Sequence, residues 1–116
     1  MTNHGEFADL LARQLTLTRS LWQSLESRGI REGAVLALDF FFDAPSFSSA
    51  SKLSELLRAD TDYEVTVTAL EDSWAVSGHT QPTSVALAIL EEWVAWMVAA
   101  GSRAGCAFDG WGTELP

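Results

Sequence analysis

The stretch Val35-Leu-Ala-Leu-Asp-Phe-Phe-Phe-Asp43 decides the architecture. Successive side chains of a strand point to opposite sides, so Leu36, Leu38, Phe40 and Phe42 share one face while Val35, Ala37, Asp39, Phe41 and Asp43 share the other. The alternation marks a central strand whose first face is core. The second face is mixed. Burying a carboxylate without a partner is costly, so the side carrying Asp39 and Asp43 is expected to meet water, a partner protein or a covering segment.

Upstream, residues 6–28 read as a helix ended by Gly29. Leu17, Leu10, Leu21, Phe7, Leu25, Leu11, Trp22 and Leu15 cover an arc of roughly 160°, and every charge but Arg28 in the last turn lies outside it. Downstream, Ala44-Pro-Ser opens a second helix, with Pro45 suited to its first turn and Ser46 to its cap. That helix presents Phe47, Ala50, Leu53, Leu56 and Leu57 and runs to about Ala59. Tyr63 to Ala69 and Trp74 to His79 alternate on either side of an acidic turn at Glu71-Asp72, which predicts a hairpin. Tyr63, Val65, Val67, Trp74 and Val76 form its core set, with Glu64, Thr66, Thr68, Ala75, Ser77 and His79 on the other face. A third helix is expected to reach Ala100, with Gly101 beyond it. Its apolar arc, roughly 200°, exceeds what a sheet alone can cover. A last strand spans Cys106 to Trp111.

After the N-terminal helix the order is β-α-β-β-α-β, the split arrangement of ferredoxin-like domains. The expectation is therefore an α+β fold of one domain over residues 1–116, a ferredoxin-like sandwich at 34–112 with a four-stranded antiparallel sheet and an added N-terminal helix. In that topology both core helices pack on one sheet face. By parity the open face carries Asp39, Phe41, Asp43, His79, Asp109 and Trp111. The N-terminal helix either covers that face or lies on the third helix, in the same chain or across a homodimer. The third helix has apolar surface to spare, and covering the aspartates would be penalised, which favours the latter arrangement.

A formal charge of −9 comes from 16 acids against 7 bases, and residues 34–116 carry all of it. Capture of nucleic acid by a basic surface is thus disfavoured, and a basic protein partner fits better. One cysteine, Cys106, suits a reducing cytoplasm and reads as a buried structural thiol. The N-terminus lacks the pattern of a signal peptide. Val85 to Ala100, with Glu91 and Glu92 inside it, is too short and too charged to span a membrane.

The chemistry of an enzyme is not evident. Asp39 and Asp43 lie roughly 13 Å apart at about 3.3 Å per residue, too far to share a metal or act on one bond. Asp109 and His79 could approach them, but no diagnostic ligand spacing is present. Phosphate loops, nucleophile elbows, zinc motifs and dinucleotide fingerprints are all lacking. Neither catalytic residues, nor a metal, nor a cofactor is therefore expected. His4 reads as a mobile terminal residue. Asp109-Gly-Trp111 admits two readings, a strand end where Gly110 permits a bulge or close packing, or an exposed aromatic anchor beside a charge.

The ending Phe108-Asp-Gly-Trp-Gly-Thr113 resembles the Tyr-Asp-Gly-Trp-Gly-Thr ending of the RraB family, the regulators of ribonuclease E activity. Thr18-Arg-Ser-Leu-Trp-Gln-Ser-Leu-Glu-Ser-Arg-Gly29 is similar to that family's helix, and Tyr63-Glu-Val65 to the opening of its second strand. The resemblance implies a small non-catalytic adaptor that binds ribonuclease E away from its catalytic centre and tunes RNA turnover. It departs from the family in a more aromatic central strand and in stopping at Pro116 without a long acidic tail. The partner-binding residues expected are Asp39, Phe41, Asp43, His79, Asp109, Gly110 and Trp111. An inhibitor or immunity-type module for a different basic partner is the alternative.

Overall fold

The computed structural model describes residues 4–115; Met1–Asn3 and Pro116 lie outside the described residues, as does the side chain of His4. The chain runs α1 (His4–Ser27), β1 (Val35–Leu36), β2 (Asp39–Ala44), α2 (Phe47–Asp60), β3 (Glu64–Ala69), β4 (Trp74–His79), β5 (Thr83–Ser84), α3 (Leu87–Arg103) and β6 (Ala107–Gly112). Four strands form one antiparallel sheet in the order β3-β4-β2-β6, and β1 pairs with β5 in a separate two-stranded ribbon.

The expected strand Val35–Asp43 keeps its parity but is broken in two. Leu36, Leu38, Phe40 and Phe42 are all buried. At Ala37 and Leu38, however, side-chain hydroxyls replace ladder partners. The Leu38 N–H donates to Thr80 Oγ1 at 3.1 Å, the Thr80 N–H donates back to the Leu38 carbonyl at 2.9 Å, and Thr113 Oγ1 donates to the Ala37 carbonyl at 2.8 Å. Those bonds satisfy the backbone groups that the main sheet would otherwise have to pair.

All three helices lie on the Phe40 side. Phe40, Phe42, Val76 and Phe108 pack beneath Ala50, Leu53 and Leu57 of α2 and Val94, Met97 and Val98 of α3. α1 packs against α3 within the same chain, joined at the surface by the Arg19–Glu91 ion pair at 2.7 Å. A second cluster, including Trp22, Leu25, Ile30, Leu36, Leu38, Val85 and Leu90, fills the end of the layer near the β1–β5 ribbon. Most of the wide apolar arc of α3 is thus shared between the sheet and α1, with Ile89 and Trp96 left exposed at its edge, and the opposite sheet face is left uncovered by helix.

Helix ends follow from local chemistry. α1 stops as expected at Gly29, whose φ is +98°. The Ile30 N–H reaches the Leu25 carbonyl and the Gly29 N–H the Glu26 carbonyl, a Schellman closure in which Ile30 packs in the same cluster as Leu25. Ser46 caps α2 by accepting from the Ser49 N–H at 3.1 Å, so Pro45 precedes the cap rather than occupying the first turn. Gly101 does not end α3. It lies inside the helix against Phe42, where an added Cβ would come within 2.9 Å of the ring. The helix continues to Arg103 and leaves through Ala104-Gly105.

Two expectations about α1 change. Leu17, at the edge of the predicted arc, is 54% exposed, while Gln14 and Thr18 near its centre are buried. Both polar side chains have partners in β6: Gln14 Nε2 donates to the Phe108 carbonyl at 3.3 Å, and Thr18 Oγ1 accepts from the Trp111 indole at 3.0 Å.

Candidate functional site

The uncovered face is a grid set by strand register. Asp39, Phe41 and Asp43 of β2 stand opposite His79, Ser77 and Ala75 of β4, and these in turn oppose Glu64, Thr66 and Thr68 of β3. On the other side of β2, Phe41 faces Gly110 and Asp43 faces Ala107. Small residues therefore flank Phe41 in both directions, and its ring remains 47% exposed at the centre of the face.

Carboxylates share that face. Asp39, Asp43, Glu64 and Asp109 contribute four, and the strands β2, β3, β4 and β6 contain neither Lys nor Arg. The carboxyl of Asp109 is pushed above its ordinary value, first by partial burial and second by the charge of Asp43. Like charges held together on a rigid sheet create a field that attracts cations. Among the described residues there is no group of three or more His, Cys, Asp or Glu side chains suited to hold a metal ion.

The sequence-derived set is largely brought together. Asp39, Phe41, Asp43, His79, Asp109 and Gly110 converge on this face. Trp111 does not, because the register between β2 and β6 shifts between Phe41 and Phe42: Phe42 faces Phe108 and Phe41 faces Gly110, leaving Asp109 as the extra residue. An extra residue reverses the alternation beyond it. Gly110, with φ at +135°, accommodates the bulge. Trp111 then pairs with buried Phe40 and turns under the helices, with Trp93 at 6.2 Å between ring centroids. It packs against both hydrophobic clusters, so the Asp-Gly-Trp string ties α1 to the sheet instead of presenting an aromatic anchor.

Glu64 is the member that the expected set omitted, although its place in the β3 alternation put it on the same face. Cys106 is buried, its thiol pushed up by burial, in line with a structural role. Among the described residues no helix is long and apolar enough to cross a membrane.

These features define a class: a small acidic α+β protein whose helices occupy one sheet face and whose other face combines an exposed apolar residue with carboxylates. The chain belongs to the RraB family, whose model, described as regulator of ribonuclease activity B, matches residues 16–113. That span includes every strand and all of the open-face residues. No curated protein matches the sequence.

Proposed function

We propose that this protein is a non-catalytic regulator that binds ribonuclease E through its open sheet face and thereby tunes RNA cleavage in the cytoplasm. The observation that carries this reading is Phe41, half exposed on a face it shares with Asp39, Asp43, Glu64 and Asp109, on strands that contain neither Lys nor Arg, in a chain of the ribonuclease-regulator family. An aromatic side chain supplies the apolar contact at the centre of such an interface, and the surrounding charges select and steer a basic partner. The strand order β3-β4-β2-β6 and the two crossing helices support a ferredoxin-like description of the core. Residues 1–116 act as one unit in this account, because α1 is bonded to the last strand through Gln14 and Thr18.

The test uses purified ribonuclease E and a defined RNA substrate. The wild-type chain should bind the nuclease and change its cleavage rate, and an Asp39→Asn, Phe41→Ala, Asp43→Asn variant that melts like the wild type should do neither. Equal binding by that variant would refute the face. No binding by the wild-type chain, with capture of a different basic protein in its place, would favour the alternative partner class.

A further inference from the structure

On the helix side of the sheet, two adjoining cavities form one groove between the start of β3 and the exposed flank of α3. The deeper, about 230 Å³, is lined by Leu38, Tyr63, Val85, Leu90 and Trp93 among others. The shallower one adjoins it through Tyr63, Ile89 and Trp93 and adds Trp96. The two aromatic walls are fixed to each other, since the Trp93 indole donates to the Tyr63 hydroxyl at 3.0 Å. Ile89 and Trp96 remain 49% and 39% exposed at the rim. Every charged residue lining the two cavities is an acid: Asp60, Asp62 and Glu92.

We propose that this groove is a second docking site, which takes a basic peptide segment by seating one apolar side chain against the hydrogen-bonded Tyr63–Trp93 wall, in the cavity that Leu38, Val85 and Leu90 also line. The deeper cavity holds about 230 Å³ and the adjoining open one about 440 Å³, so the groove is large enough for a ligand but mostly open, and a peptide that seats one branched or aromatic side chain in the deeper part suits it better than an enclosed cofactor. Exposed apolar groups at the rim extend the contact along the peptide. The acidic rim selects cationic residues on either side of the anchor. A second copy of this chain is the poorer occupant, because residues 34–116 carry the full −9 and would set acid against acid. The site opens on the opposite side of the sheet from Phe41 and does not depend on the reading of that face.

The experiment measures fluorescence anisotropy of labelled peptides in which one central residue (Leu, Ile, Met, Phe, Trp or Ala) is flanked by two arginines on each side. Peptides with at least one of the five large anchors should bind about ten-fold tighter than the alanine peptide, the gain expected from burying one apolar side chain. Ile89→Ser, on the exposed side of α3, should remove most of that preference, Glu92→Lys should weaken all six peptides alike, and Phe41→Ala should leave both properties unchanged. Equal affinity for all six peptides would overturn the proposal. So would loss of the preference in Phe41→Ala with Ile89→Ser unaffected, or a dimeric mass in solution that Ile89→Ser converts to monomer.

Discussion

Neighbouring phenylalanines on one strand have opposite fates. Phe40 and Phe42 are buried under α2 and α3, whereas Phe41 between them is half exposed among carboxylates. The backbone is the same and the residue type is the same, so only the face differs. A strand that is core on one side and polar on the other usually spends its exposed positions on solubility. Here a large apolar ring stands there with small neighbours, which separates residues that hold the fold from residues free to recognise a partner.

The largest effect should come from crossing that divide. Phe42→Ala should cost about 3–5 kcal/mol, read by denaturant unfolding, because a ring packed against Phe108 and Gly101 leaves a cavity. Phe41→Ala should stay within about 0.5 kcal/mol of the wild type, as surface substitutions do. Similar losses for both would erase the distinction. Next, Gly101→Ala should cost about 1–3 kcal/mol, since the added methyl meets the Phe42 ring inside a well-packed core. An unchanged midpoint would mean that α3 can shift away from the sheet.

The α1 anchor gives an effect of similar size. Thr18→Val leaves the Trp111 indole N–H without its acceptor and should cost about 1–3 kcal/mol. A double-mutant cycle with Trp111→Phe should show the two losses to be non-additive. Additive losses would deny the bond its role in docking α1.

The smallest effect concerns Asp109. Its folded carboxyl titrates above the ordinary carboxylate value, so the folded state holds the proton more tightly than the unfolded chain. The resulting stabilisation is present below the unfolded pKa and is lost as pH rises through the raised folded value. At neutral pH the ionised group is therefore a mild cost, and because Asp109 is exposed and solvent screens its charge, Asp109→Asn should raise stability by no more than about 0.5 kcal/mol. The gain should fade on acidification. A gain that persists at low pH would assign the effect to packing instead of charge.

Much of this division was legible in the alternation of Val35–Asp43, because a period of two depends only on strand geometry. The stop at Gly29 was legible for a similar reason, as a local turn needing positive φ. The break at Ala37–Leu38 was not, since it depends on Thr80 and Thr113, hydroxyls far away in sequence. Gly101 looked like a helix end because close approach of the Phe42 ring leaves no local signal. The Asp109 bulge misled most: parity counts residues and assumes an unbroken ladder, so one extra residue carried Trp111 to the wrong face. Gln14 and Thr18, polar positions within the apolar arc of α1, were the available sign that this helix needed polar partners.

The most direct measurement is the dissociation constant of Phe41→Ala for ribonuclease E beside its melting temperature. Loss of a central aromatic contact should weaken binding about ten-fold or more while the melting temperature stays near that of the wild type. An unchanged dissociation constant, with the nuclease still bound, would contradict recognition through the open face.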